Sequence, residues 1–231
     1  MANARSYSIG PRMSNAELIA GLLYLPFFAG LLKVILSYVC AAAGLELTSF
    51  QFNFLWFCVN GAFCLVTFHK FLWRSFRSIR FWPLIQTIIL GAVLYQAGNF
   101  LLTLLWELLK KAPENFNNDT IVGFAQTDFR LTLVMTVVIA PVVEELLIRG
   151  VLFGGLRRKS RVAAYLVSMV VFSAMHISAY ISQYDWRSLL LVAGEYLPAG
   201  LTLGWTYEKT NTIWTPIFLH MLINAVSMSL I

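Results

Sequence analysis

Apolar stretches long enough to cross a lipid bilayer recur from one end of this 231-residue chain to the other. A transmembrane helix needs roughly 20 predominantly apolar residues. Only 12% of the residues are charged, against about 25% in an ordinary soluble domain. The sequence therefore predicts an all-α fold, a polytopic transmembrane helical bundle with about seven spans (about six to eight). The predicted spans are 17–43, 51–68, 82–106, 131–156, 162–181, 188–206 and 212–231.

Lysine and arginine are distributed unevenly between the predicted loops. The segments around 70–80 and 157–161 are rich in them, whereas 107–130 and 182–187 hold few. Because basic loops stay on the cytoplasmic side, we predict a multi-pass cell-membrane protein with its N-terminus in the cytoplasm. The small size favours a bacterial cytoplasmic membrane.

The segment 69–82, HKFLWRSFRSIRFW, combines basic and aromatic residues at helical spacing. Helices of this composition lie in the headgroup layer and attract anionic lipid. Nucleic-acid binding uses the same residue types, but beside two membrane spans we expect no nucleic-acid partner. The residues predicted to contact anionic lipid are Lys70, Arg74, Arg77 and Arg80.

Three ionisable residues lie inside one predicted span, VVIAPVVEELLIRGVLFGG at 137–155. A charge at bilayer depth costs roughly 2.5–3.5 kcal/mol, so such residues tend to face the bundle interior and serve function. Glu145 and Arg149 are four residues apart and are expected to form an ion pair on one helix face. Glu144 lies about 100° round the helix and suits a group that accepts and returns a proton. A purely structural role, with Glu144 bridging to another helix, is the alternative.

Two histidines lie in the middle of later spans. His176 follows Phe172 by one helical turn, and His220 precedes Asn224 by one turn. A lone histidine in a bundle is more often a satisfied core residue than a catalyst. Carboxylates and histidines on three spans, however, can converge in a polar cavity, which is where membrane enzymes and transporters place their sites.

Three short motifs resemble those of a known family. EELLIR at 144–149, FSAMH at 172–176 and HMLIN at 220–224 are similar to the EExxxR, FxxxH and HxxxN motifs of the CPBP family. This family comprises CAAX proteases and bacteriocin-processing enzymes, is also called Abi, and its members are intramembrane glutamic endopeptidases. The resemblance predicts a catalytic helical core at 131–231, preceded at 1–130 by additional transmembrane helices, within one compact membrane domain.

The resemblance implies a role for each motif residue and needs neither a metal nor another cofactor. Glu144 would be the general base that activates water for attack on a peptide carbonyl, and His176 would hold or polarise that water. His220 and Asn224 would donate hydrogen bonds to the developing oxyanion. The supporting residues would be Glu145, Arg149 and Phe172. A prenylated protein, a bacteriocin or quorum-sensing peptide and a membrane regulator are all open as substrates.

Three other functions stay open at this stage. Two histidines and a glutamate can bind catalytic zinc with an open position for water. The chain can instead be a non-catalytic scaffold or a bacteriocin self-immunity protein. A proton-coupled transporter would use the same buried carboxylates, with Glu195 and Lys33 as relay candidates. The sequence does not indicate the oligomeric state.

Overall fold

The computed structural model describes residues 10–111 and 113–231, and these residues form helices and no strand. Among these residues, five helices are long and apolar enough to cross a membrane: those that begin at residues 15, 49, 81, 129 and 161, the last together with a following 3₁₀ turn. The predicted all-α, polytopic membrane bundle is confirmed. The helices are α1 (Asn15–Ala42), α2 (Ser49–Arg77), α3 (Phe81–Leu108), α4 (Phe116–Thr127), α5 (Phe129–Arg157), α6 (Arg161–Ile177), α7 (Trp186–Glu195), α8 (Leu197–Thr210) and α9 (Trp214–Met228).

The predicted sixth span, 188–206, is not one continuous helix. It divides at Tyr196 into the 10-residue α7 and the 14-residue α8. Pro198 lies in the first turn of α8, where its missing N–H is tolerated, but the same ring prevents α7 from continuing through this point. The predicted last span forms α9, which is only 15 residues long. The chain therefore places a helix break where the prediction had a straight span.

The basic segment 69–82 is not a separate surface helix. It forms the last turns of α2, a short turn, and the start of α3. The Nη2 atom of Arg74 donates to Glu17 on α1 at 2.9 Å, and Glu17 also accepts the backbone N–H of Phe71 at 3.0 Å. This segment therefore joins α1 to α2, and its contact with anionic lipid remains a prediction.

Helix α5 is the centre of the bundle. It packs against α1, α2, α6, α8 and α9, and Val143, Leu146, Leu147, Ile148 and Val151 are fully buried along it. A helix that is apolar on every side is expected to be surrounded in this way. Two stretches of α5, Val134–Ile139 and Leu146–Phe153, are π-helical, and they flank an α-helical stretch, Ala140–Glu145, that ends in the two glutamates.

Ion pairs join three helices at one end of the bundle. Glu208 on α8 accepts from Arg157 Nε of α5 at 2.7 Å, from Arg161 Nη2 of α6 at 2.9 Å and from the Tyr165 hydroxyl at 2.7 Å. A cavity of about 410 Å³ lies beside them, and five of its thirteen lining residues are cationic. We call this region, where α5 and α8 end and α6 begins, the basic end.

The close packing of α1 on α5 gives a testable prediction at Gly21. A Cβ atom there would lie 2.3 Å from Cγ2 of Val151 and 3.1 Å from Phe68, and the branched Val151 side chain is stiff in a helix. We expect Gly21→Ala to lower the unfolding free energy by about 1–3 kcal/mol, as overpacking does. Thermal unfolding in detergent measures the effect. Gly123→Ala is the matched control, because no atom lies within 4 Å of that site; an equal or larger loss in the control would contradict the prediction.

Candidate active site

Three helices bring the predicted carboxylates and histidines together. Glu144 and Glu145 lie at the centre of α5, His176 near the end of α6, and His220 in α9. The Oε2 atom of Glu144 lies 3.9 Å from Nε2 of His176 and 3.9 Å from Nε2 of His220. These separations are too long for direct hydrogen bonds, so the two imidazoles face the carboxylate across a gap.

Glu145 and Arg149 form the predicted ion pair, and both side chains are fully buried. Arg149 Nη1 donates to Glu145 Oε1 at 2.8 Å. The guanidinium also donates through Nη2 to the backbone carbonyl of Gly200 at 3.2 Å and lies 4.3 Å from the ring centroid of Phe172. Arg149 therefore connects α5 to α6 and α8.

Hydrogen bonds at Nδ1 fix the tautomers of both histidines. Nδ1 of His220 lies 2.8 Å from Glu145 Oε1, and Nδ1 of His176 lies 2.8 Å from the backbone carbonyl of Phe172. A carbonyl and a carboxylate only accept, so each Nδ1 carries a proton. In the neutral imidazoles both Nε2 atoms are then acceptors, and both point toward Glu144.

Buried polar atoms without hydrogen bonds concentrate at this site. Among the described residues they include Oε2 of Glu144, Oε2 of Glu145, Nε of Arg149 and Oγ of Ser173. Most buried polar atoms in native structures are hydrogen-bonded, and each exception requires an explanation. The unused bonding capacity indicates a site that holds a small polar molecule.

A cavity of about 280 Å³ lies next to these residues. It is bounded by α3, α6 and α9, by the segment before α4, and by the junction of α7 and α8. This position is at the end of α5, α6 and α8 remote from the basic end. Glu144 does not line the cavity, but the two imidazoles that face it do. The polar and aromatic lining residues include Tyr95, Asn99, Thr103, Asn115, Asn118, Phe172, His176, Glu195, Tyr196, His220 and Asn224.

Asn224, the last of the predicted site residues, is held by α5. Its Nδ2 atom donates to the backbone carbonyl of Thr136 at 2.8 Å, in the first π-helical stretch of α5. An amide NH₂ group has two N–H donors, so one of them is used by this bond. The second N–H and Oδ1 are left for the cavity that Asn224 lines.

The cavity wall formed by Tyr196 and Asn115 was not predicted from the sequence. The ring of Tyr196 stacks on His176 with centroids 4.0 Å apart, and its hydroxyl donates to Asn115 Oδ1 at 3.2 Å. Asn115 caps α4 and donates through Nδ2 to Glu195 Oε2 at 2.5 Å. The asparagine-rich sequence NFNND at 115–119, which caps and begins α4, is the available signal, but it lies in the segment 107–130 that the sequence predicts as a loop.

The described part of the chain contains no group of three or more His, Cys, Asp and Glu side chains placed to hold a metal ion. Tetrahedral zinc with bonds of about 2.0–2.1 Å requires ligand atoms about 3.3 Å apart. The carboxylate and imidazole atoms are 3.9 Å apart. These atoms are farther apart than two ligands of one zinc ion would be.

Part of the chain is similar in sequence to known proteins. Residues 126–226 match the family model described as Rce1-like, type II CAAX prenyl endopeptidase Rce1-like. This match contains every predicted site residue. This match supports the resemblance of residues 126–226 to the CPBP family. A relative in Bacillus subtilis (strain 168), named "Putative membrane peptidase YdiL", is 31% identical over 112 residues, which are 48% of this chain and 41% of that protein. The matched segment thus spans less than half the length of the relative. No solved structure matches the chain.

Proposed function

We propose that the chain is a membrane-embedded endopeptidase in which Glu144 activates water. The observation that carries this proposal is the buried, unpartnered Oε2 of Glu144, 3.9 Å from two imidazole nitrogens. A polar gap of this length fits one water molecule hydrogen-bonded to the groups around it. A buried carboxylate beside such a water is the arrangement that general-base catalysis requires.

In the proposed reaction, water donates one hydrogen bond to Glu144 and the other to Nε2 of His176. As the water oxygen attacks the peptide carbonyl carbon, Glu144 takes its proton, and the carbonyl π electrons move onto the oxygen. The resulting tetrahedral intermediate collapses when the C–N bond breaks. Glu144 then returns the proton to the leaving amine. No side chain forms a covalent bond to the substrate.

The oxyanion is stabilised by two donors in this proposal. One is the second N–H of Asn224, and the other is Nε2–H of His220. Because Nδ1 of His220 already donates to Glu145, Nε2 donates only when the ring carries both protons. Glu145 then balances the imidazolium charge and orients the ring, as a carboxylate does for a catalytic histidine. Glu145, Arg149 and Phe172 are positioning residues.

The cavity lies at the end of the helices remote from the basic end. With the basic end in the cytoplasm and the N-terminus on the same side, the cavity would lie toward the outer face. We propose that a membrane peptide or protein enters there, and that Lys70, Arg77 and Arg80 contact anionic lipid on the opposite side.

The test compares peptide termini by mass spectrometry in cells producing the wild type, Glu144→Gln or Glu107→Gln at matched levels. Glu107 is an exposed carboxylate near the end of α3 and is the control. We expect a set of termini that is present in the wild type and the control but absent in Glu144→Gln. Identical termini in the wild type and both variants would overturn the peptidase proposal. If Glu144→Gln then also kept the cellular phenotype, a scaffold or immunity protein would be favoured.

The Asn224 amide allows a separate prediction. Asn224→Ala removes an oxyanion donor, which costs about 10²–10³ in kcat, while KM changes little because the oxyanion forms only in the transition state. Steady-state kinetics on a cleaved peptide measures both constants. Asn224→Asp, which fills the same volume without an N–H donor, should be at least as impaired. If Asn224→Ala kept the full kcat, Asn224 would not stabilise the oxyanion.

A further inference from the structure

Glu195 is the one Asp, Glu, Lys or Arg side chain among the described residues that line the candidate catalytic cavity. The buried ion pair of Glu145 and Arg149 does not reach the cavity surface and has no net charge. The formal charge that the cavity wall presents, apart from its histidines, is therefore negative. The Glu195 side chain lies at the junction of α7 and α8, next to Tyr196, whose ring stacks on His176.

The Glu195 carboxylate is held in place by one hydrogen bond. Oε2 accepts from Asn115 Nδ2 at 2.5 Å, and Asn115 is itself fixed by the Tyr196 hydroxyl and by the N–H of Asn118. Within the described residues Glu195 forms no ion pair, and Oε1 has no hydrogen bond. Glu195 is partly buried, so its charge is only partly solvated.

A fixed carboxylate with a spare oxygen and no counter-ion favours a ligand that supplies the cation. A charge that is only partly solvated within a membrane bundle is costly and suggests a functional site, and a complementary charge on a substrate gains most where water is partly excluded. The same carboxylate repels an acidic residue or a C-terminal carboxylate. Discrimination of this kind arises from both the attraction and the repulsion.

We propose that Glu195 is a specificity residue that binds a cationic nitrogen of the substrate, either a Lys or Arg side chain or a free α-amino group, close to the scissile bond. This inference rests on the proposed peptidase function. The preferred substrates are therefore basic peptides, and peptides with Asp or Glu at the same position are excluded.

The variant Glu195→Gln separates charge from structure, because its amide oxygen still accepts from Asn115. The full chain in phosphatidylcholine vesicles is incubated with a mixed decapeptide library, once with free N-termini and once with acetylated N-termini. Mass spectrometry gives the residue frequency at each position around the cleaved bonds. For the wild type we expect about tenfold enrichment of a cation at one position, equivalent to about 1.4 kcal/mol.

In Glu195→Gln the enrichment of a cation over a neutral residue at that position should fall close to one. Glu107→Gln, the exposed control, should keep the wild-type preference. Enrichment that survives acetylation assigns a side chain, and enrichment lost on acetylation assigns the α-amino group. A wild type without cationic preference, or an unchanged preference in Glu195→Gln, overturns the inference. Failure of the peptidase itself is distinct, because the wild type and Glu144→Gln would then give identical peptides.

Discussion

Glu144→Gln is expected to reduce peptide hydrolysis by the purified protein about 10²–10⁴-fold, the range that a general base contributes. The amide has almost the same shape as the carboxylate but cannot accept a proton from water. The fold should be unaffected, since Oε2 of Glu144 forms no hydrogen bond to the described residues. Single-turnover hydrolysis and thermal unfolding, measured on the same preparation, test the two statements together.

The expected result for Glu144→Gln separates a loss of catalysis from a loss of folding. Activity is lost while the unfolding temperature stays within about 2 °C of the wild type, which corresponds to a change of at most about 0.5–1 kcal/mol for a chain of this size. A variant that retains most of its kcat would show that another group takes the proton from water. Stoichiometric zinc in the purified wild type, together with loss of activity to a chelator, would assign that role to a metal.

Arg149→Met is expected to destabilise the bundle by about 3–5 kcal/mol, because breaking a buried ion pair leaves one charge without a partner. Arg149 is fully buried and bonds to Glu145 and to the carbonyl of Gly200. Its loss therefore leaves Glu145 compensated only by His220. Thermal or denaturant unfolding in detergent measures the change, and activity should fall at least as far as the folded fraction does, because Arg149 also positions Glu145.

Arg161→Met is the matched control for this prediction. Arg161 also pairs with a glutamate, Glu208, at 2.9 Å, but its side chain is 65% exposed. Exposed pairs contribute about 0–1 kcal/mol, so this variant should unfold nearly as the wild type does. Equal losses of unfolding free energy in Arg149→Met and Arg161→Met would mean that the burial of an ion pair does not determine how much stability is lost when it is broken.

The sequence predicted the membrane bundle and the separations within each motif. Residues four apart on a helix lie on the same face, so the spacing of Glu145 and Arg149 accounts for the observed ion pair at 2.8 Å. A charge is also costly in an apolar span, so convergence of Glu144, His176 and His220 was expected before their distances were known. Local periodicity and the cost of burial account for these parts.

Tertiary contacts determined what the sequence did not show. Pro198 lies inside the predicted span 188–206, and a proline does not exclude such a span, because membrane helices accept proline. In the fold it accompanies the break that turns Tyr196 toward His176. Asn115 and Glu195 are 80 residues apart in the chain, and no local pattern relates them. The bond between Glu145 and His220 likewise depends on how α9 packs on α5.

The π-helical stretches of α5 have a consequence for how this helix can vary in length. A π turn contains one residue more than an α turn, and such turns are frequent at functional sites. In a regular α-helix, loss of one residue rotates everything beyond it by about 100°. In α5, closure of a π turn can absorb the loss of one residue from Val134–Ile139. Homologues of this chain can therefore differ by a single insertion or deletion inside a membrane helix and still present both glutamates to the same neighbours.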